Sequence, residues 1–488
     1  MGGASTWDLD VAVIGAGPAG LAAGMMASEL GLKVAVLDEQ PRPGGQIYRE
    51  IETTAARKGE SLALLGADYG AGLELVTRFR AAGVDYRPGT SVFDIAPEGG
   101  LGVVAPDGAR WVKAKRIIIA TGAMERPPAV PGWTLPGVLG AGAAQTLLKS
   151  AAMAPSGRTV VAGSGPLLYL VARQLLAAGA SIAAVLETTP RANYLRAAPW
   201  LPGALVSLGD LRKGLAWRRE IKQSGLPFLT GVRDIRIDGD GGVESIAFQA
   251  GRRAHRLECD LLLLHEGVVP NVQLSMAVGA EHAFDMRQAC WRPRLDAYGR
   301  SSVETVLVAG DGGGIRGADV AAQAGVLSAL AAAADLGTID AGEAEARAAL
   351  PLIEIRRKAP LRRFLDVLYR PREEVLVPAA DETIVCRCEE VTAGELRRVA
   401  AMGCRGPNQA KTYTRCGMGP CQARMCGLTS AAVLANANGL ALGQAGYLRI
   451  RPPIKPITVG ELADMEGIGA PPAAGPLLPT GGDREADA

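Results

Sequence analysis

No cysteine precedes Cys259 in this chain of 488 residues, so its first half holds no thiol pair that could exchange a disulfide or grip a metal. Aromatic residues are scarce, at 4%, and no apolar run reaches the roughly 18 residues of a membrane span. The chain therefore reads as a soluble protein. Neither sign of charge is in excess, with 52 basic and 50 acidic residues. That balance argues against attraction to nucleic acid or an anionic membrane surface and leaves small molecules or other proteins as partners. Residues 1–9, "MGGASTWDL", lack the basic start and apolar core of a signal peptide. The match of Gly2 and Thr6 to a myristoylation pattern is read as coincidence. The expected compartment is the cytoplasm, where clustered thiols more often bind metal than pair as disulfides.

What is present begins with "DVAVIGAGPAGLAAGMMASELGLKVAVLDE", residues 10–39. An apolar strand passes through glycines into a helical pattern and on to a second strand that ends in acid. Gly15 permits the tight turn, Gly17 lets a pyrophosphate approach the backbone before Pro18 and Ala19, and Gly20 lets the helix pack on the strand. Asp38 falls where a ribose hydroxyl would sit, with Glu39 as the adjacent alternative. A chain of this length also exceeds one ordinary core, so two or three domains are expected.

Two further stretches, "RIIIATGAMERP" (116–127) and "TVLVAGDGGG" (305–314), resemble the ATG and GD segments of two-dinucleotide-domain flavoproteins, the thioredoxin-reductase-like and glutathione-reductase-like class. The resemblance implies FAD, held by Ala120, Thr121 and Gly122, by Gly310 and Asp311 on the ribityl chain, and by Gly45 and Gln46 of "PGGQ". Between the two segments lies a second βαβ pattern, "RTVVAGSGPLLYLVARQLLAAGASIAAVLE" (158–187), the NAD(P)H domain of that class, and "LLLLHEGVVPN" (261–271) resembles the crossover leading back. Here Gly163 and Gly165 are followed by Leu168 instead of a third small residue, which should hold the helix off the strand. Glu187 stands at the strand end. The favoured reading of this domain is one retained for structure or partner binding rather than for NAD(P)H. Cys259 and Cys290 are isolated in sequence and read as core thiols, so disulfide reduction is excluded.

Six of the eight cysteines crowd into 386–426: Cys386, Cys388, Cys404, Cys416, Cys421 and Cys426. The three histidines lie far from them in sequence, so a metal there would have all-thiolate ligation, suited to zinc or iron–sulfur. The pairs are C-x-C (Cys386, Cys388) and C-x4-C (Cys416, Cys421), neither of them a zinc knuckle. Thr392 and Glu395 form a capping-box pattern for a helix ending at Gly403, and Pro420 reads as the start of a second helix running to about residue 436. Arg387, Lys411, Arg415 and Arg424 are available to offset thiolate charge.

"CRCEEVT" and "TRCGMGPCQARMC" resemble the [2Fe–2S] domain of the bacterioferritin-associated-ferredoxin type. That domain after a two-dinucleotide flavoprotein, followed by "RPPIKPITVGEL" (451–462), resembles the large subunit of the opine oxidase, hydroxyproline dehydrogenase and hydrogen cyanide synthase family. The resemblance implies cluster ligands Cys386, Cys388, Cys416 and Cys421, with Cys404 and Cys426 as spares. It implies an α/β fold in which an FAD domain (1–155 and 275–335) surrounds an inserted NAD(P)-type domain (156–274). A helical connector (336–379), a small helical [2Fe–2S] domain (380–440), a C-terminal extension (441–469) and a disordered tail (470–488) follow. It further implies an electron-transfer subunit beside a smaller glycine-oxidase-like FAD subunit and a small ferredoxin-like subunit, with an FMN at a subunit interface and a peripheral membrane contact through the electron acceptor. No catalytic residue for amine oxidation is assigned. The rival function is a free-standing NAD(P)H-dependent flavin and iron–sulfur reductase, and a third reading is a binding scaffold whose nucleotide is structural.

Overall fold

The structure, a computed structural model, describes residues 8–57 and 61–465. The expected tail at 470–488 and residues 1–7 lie outside that range. Strand Asp8–Ile14 is apolar throughout its second half and pairs in parallel with Val34–Asp38 on one side and with the end of Gly108–Ile119 on the other. Both faces of such a strand are covered, which is why these segments are near-continuous runs of Val, Ala and Ile. The sheet extends through Asp85–Pro88 at one edge. At the other it passes through an antiparallel meander, Ser91–Ile95 and Gly100–Ala105, while Val306–Val308 returns to pair with Ile117–Ile119. Helix Pro18–Glu29 packs directly on helix Ala318–Asp335, and both share a core with Val11 and Val13 of this sheet.

A second, five-stranded sheet has the order Phe228–Thr230, Ile182–Glu187, Thr159–Ser164, Leu261–Glu266, Val138–Gly140. Val138–Gly140 and the helix Ala141–Ala151 after it lie before residue 156, where the sequence division began the inserted domain, yet the strand belongs to the inserted sheet. Three residues are too few to reveal a strand period. A two-stranded ladder, Ala123–Glu125 against Val268–Pro270, carries the chain between the two sheets. The connector is helix Ala341–Leu368, capped by the Asp340 side chain and continuous through Pro351 and Pro360.

The cysteine-bearing segment packs its Val385, Val391, Leu396 and Val433 into one core with Leu9, Ile14, Val103 and Ile119 of the first sheet. Trp133, buried, donates its indole N–H to the Ile384 carbonyl at 2.7 Å and ties the segment to the interdomain loop. Helix Ala393–Ala401 has the expected capping box, and Gly403 follows its end at φ 102°. A further helix, Pro407–Thr414, has no counterpart in the sequence reading. The helix expected from Pro420 begins only at Gly427. Residues 418–426 wind instead as turns in which Gln422 and Ala423 both take left-handed backbone angles, which no α-helix can propagate.

Candidate cofactor and metal sites

The three glycines of the first fingerprint do different work. A Cβ on Gly20 would lie 1.7 Å from the Gly15 carbonyl oxygen, so only glycine lets this helix sit so close to the strand. A Cβ on Gly17, at φ −77°, would meet nothing nearer than the Gly45 Cα at 3.8 Å. The fold does not demand glycine there. The space in front of Gly17 is where a phosphate group fits, at the start of a 12-residue helix whose first N–H groups need acceptors. Gly122, at φ 65°, likewise has open space beside it.

Asp38 is buried, and its carboxylate accepts from the Ala16 N–H and, at 2.7 Å, from the Gln40 N–H. Desolvation pushes its pKa up against those two hydrogen bonds. Glu39 instead points outward to Lys455, 2.6 Å away. The "PGGQ" loop is tied to the glycine loop by the Gly44 N–H to the Ala16 carbonyl, 2.7 Å. Gln46 and Ile47 offer their carbonyls to the Lys149 ammonium at 3.1 and 2.9 Å, and Gln145 supplies its third acceptor at 3.0 Å. Burial without a carboxylate partner drives the Lys149 pKa down to about 7. Asp311 accepts from the Arg316 and Gly317 N–H groups at 2.7 and 3.1 Å, and burial raises its pKa. Ala120 and Thr121 lie beside Gly15, since the Ala120 carbonyl is 2.6 Å from where a Gly15 Cβ would stand. The open space beside Gly17 and Gly122 and the strand-end carboxylate of Asp38 are the features an extended dinucleotide would need, and the residues fit such a group.

At the second fingerprint the acid at the strand end is taken up by the protein's own side chains, although a Cβ on Gly165 would meet nothing nearer than the His265 ring at 3.8 Å. Glu187, 1% exposed, accepts from the Tyr169 hydroxyl at 2.7 Å, the Tyr194 hydroxyl at 2.8 Å and the Arg218 guanidinium at 2.8 Å. Its carboxylate is fully engaged where a ribose would need it. Leu168 is completely buried in the core, so this helix stands off far enough to admit a leucine where the first admits no Cβ. At the loop itself, His265 Nδ1 lies 2.7 Å from Glu125 Oε1, and Glu125 Oε2 accepts from the Gly142 N–H at 3.0 Å. Sequence reasoning missed this pair. The acid that follows "ATGAM" and the histidine ending "LLLLH" are 140 residues apart, and only the crossover ladder joins them.

Cys386, Cys416 and Cys426 bring their sulfurs within 4.8 Å of one another, all buried. Cys388 and Cys421, more exposed, are in thiol–thiol contact beside them. Cys426, a spare by the family resemblance, is therefore in the group. The turn at Gln422 and Ala423 puts it there, and the spacing hints at it, because Cys421–Cys426 repeats the C-x4-C of Cys416–Cys421. Cys404 lies outside the group of three. The Cys416 and Cys426 thiols donate to Cys386 and hold its pKa down to about 2, while Cys416 is pushed up to about 12 and Cys426 well upward. Crowded thiols resist ionising together, and a cationic centre would let more of them ionise. The donor set fits an all-sulfur centre. Of the nearby cations, Arg415 is committed to Glu389 at 2.8 Å, and Arg424 donates to the Cys421 and Ile454 carbonyls at 3.1 and 3.0 Å. Cys259 and Cys290 are buried, and desolvation lifts each to about 11, as expected of core thiols.

Residues 9–325 match the pyridine nucleotide-disulphide oxidoreductase family, and residues 380–465 match the sarcosine oxidase A3 domain. The chain is 42% identical to the A subunit of opine oxidase from Rhizobium meliloti (strain 1021), over 94% of this chain and 99% of the relative. It is 33% identical to the HcnB subunit of hydrogen cyanide synthase from Pseudomonas aeruginosa, over 91% and 96%. Among solved structures it resembles L-proline dehydrogenase from P. horikoshii, with a TM-score of 0.69 at 21% identity over 93% of this chain and 79% of that one. No helix among the described residues is long and apolar enough to cross a membrane. A two-dinucleotide flavoprotein fold with a cysteine-rich domain behind it, matched along nearly its whole length, makes this chain a member of the large-subunit family of opine oxidase and hydrogen cyanide synthase.

Proposed function

We propose that this chain is the electron-transfer subunit of a multi-subunit, dye-linked amine or imino-acid dehydrogenase acting on an opine, hydroxyproline, proline or glycine type of substrate. A smaller glycine-oxidase-like FAD subunit oxidises the substrate. This chain binds FAD at the first fingerprint and a [2Fe–2S] cluster at the thiol group, and an FMN is placed at the interface between subunits. A small ferredoxin-like subunit completes the assembly. A bound flavin supplies the ability to take up electrons in pairs and release them singly. The chain's own residues do the rest: Gly17 and its neighbours leave room for the pyrophosphate, Asp38 faces the ribose end, and the Arg316 and Gly317 N–H groups fix Asp311 toward the ribityl chain.

The observation that carries this reading is a pocket of five thiols, Cys386, Cys388, Cys416, Cys421 and Cys426, in a chain with no thiol before Cys259. Cys386, Cys388 and Cys421 are proposed as ligands, with Cys416 or Cys426 as the fourth. The rival, a free-standing NAD(P)H reductase, needs a receptive second fingerprint, whereas Glu187 there is spent on Tyr169, Tyr194 and Arg218. Reconstitution tests the proposal. Dye reduction by an amine substrate is measured with this chain, with the small subunit and with both. Turnover is expected only with both, and substantial amine oxidation by this chain alone would overturn the assignment.

A further inference from the structure

After strand Ile182–Glu187 the chain leaves the second sheet for a run of short helices, from Arg191–Ala197 to Leu208–Gln223, before returning at Phe228. The run packs on the connector helix Ala341–Leu368. Its outer side exposes Leu195 (79%), Leu201, Leu205 (52%), Val206 (63%), Leu208 and Leu215. Single exposed leucines are ordinary, but a concentration of them within some twenty residues marks a contact surface. The two acids of the run are already used: Asp210 pairs with Lys358 at 2.6 Å and Glu220 with Arg173 at 2.5 Å. Of the run's seven Lys and Arg residues, Arg218 is turned onto Glu187 and Lys213 pairs with Asp68 at 2.7 Å; the other five, Arg191, Arg196, Arg212, Arg219 and Lys222, leave its balance basic.

The same run reaches a cavity of about 650 Å³ through Trp200 and Gly203. Arg363 of the connector lies over the Trp200 ring, 4.0 Å from its centroid. The cavity is also lined by Gly314, Ile315 and Arg316, and the Arg316 N–H is one of the two that hold the Asp311 carboxylate. A protein seated on the apolar helices would thus lie beside a basic cavity that the flavin-binding segment also lines.

We propose that this face, from the helices of residues 191–223 across the cavity mouth to Gly314–Arg316, is where the electron-donating partner subunit docks, with an apolar centre and an acidic rim of its own. The inference rests on the subunit reading above and adds the place of contact. A second copy of this chain is the poorer occupant, because a two-fold contact would set this basic face against itself. An anionic lipid surface would satisfy the charge but bring no electron donor to the cavity.

The test uses the full chain and the purified small subunit. Leu205→Asp with Val206→Asp changes exposed positions only, and Leu462→Asp in the C-terminal extension serves as control. Affinity is read by titration and complex mass by light scattering, with FAD content measured on each chain. The double variant is expected to bind the partner about tenfold more weakly or worse with unchanged FAD content, the control to bind normally, and wild-type affinity to fall with added salt. Normal partner binding by the double variant overturns this inference alone. Loss of a wild-type homodimer, or of binding to vesicles with anionic lipid, while partner binding persists would assign the face to those occupants and overturn it as well. Absence of any complex with the wild-type chain overturns the subunit reading and this inference together.

Discussion

Replacing Gly17 by alanine separates ligand from fold. The residue is the N-cap of helix Pro18–Glu29, at φ −77° and ψ −178°, a conformation any residue adopts, and the added methyl would find no protein atom nearer than 3.8 Å. An alanine at an N-cap costs up to about 1 kcal/mol relative to glycine, and the stiffer unfolded chain returns about 0.4–1 kcal/mol. The apoprotein's stability is therefore expected to change by less than about 1 kcal/mol. A bound pyrophosphate is another matter, since the methyl occupies the space from which it would meet the backbone. Losing one or two charge-assisted hydrogen bonds, each worth about 1.5–3 kcal/mol, gives a penalty of roughly 1.5–6 kcal/mol, at least about tenfold in Kd. Flavin-fluorescence titration of the apoprotein measures the affinity, and thermal unfolding of the same sample measures the fold. Gly20→Ala is the contrast, because its Cβ would stand 1.7 Å from the Gly15 carbonyl oxygen and should damage both. Wild-type FAD affinity in Gly17→Ala would refute the placement of the pyrophosphate at this fingerprint.

Cys416→Ser and Cys426→Ser compete for one ligand position, so iron and acid-labile sulfide analysis should find the cluster lost in one variant and kept in the other, with Cys404→Ser keeping it; zinc without sulfide in air-free wild type would contradict the cluster. Glu187→Ala strands Arg218 and two tyrosine hydroxyls, and should lower stability by about 2 kcal/mol in denaturant unfolding while leaving partner-dependent turnover nearly intact. Lys149 has its folded pKa lowered to about 7 from an ordinary 10.5. Between those values the unfolded chain holds a proton that the folded one lacks, so this residue makes stability rise with pH across that window; Lys149→Met should flatten the rise in pH-dependent unfolding and, by freeing the Gln46 and Ile47 carbonyls, weaken FAD binding.

The βαβ unit at residues 10–39 was legible because strand, glycines, helix and terminal acid are contiguous and each obeys a local rule. The capping box at Thr392 and Glu395 was legible for the same reason. Features made by distant segments were not. Glu187 was visible as an acid at a strand tip, but its saturation depends on Tyr169, Tyr194 and Arg218, which only the folded helices bring to it. Strand Val138–Gly140 has too few residues to show a period and takes its identity from its partner Leu262–Leu264. Cys426 was set aside as a spare by the family resemblance; where Pro420 suggested a helix start, two left-handed residues instead make a turn that brings its sulfur within 4.8 Å of that of Cys386. Cysteine spacing pointed to a gathering of thiols, and backbone geometry decides which of them lie together.

Passage of electrons from the amine through this chain can be watched at the iron–sulfur centre itself. The complex of wild-type chain and small subunit is mixed with amine substrate and frozen at intervals, and the iron–sulfur signal is followed by electron paramagnetic resonance. A signal that rises at least as fast as turnover, and that is absent without the small subunit or in Cys421→Ser, is the predicted result. A centre that stays oxidised while dye reduction proceeds at its full rate would contradict it.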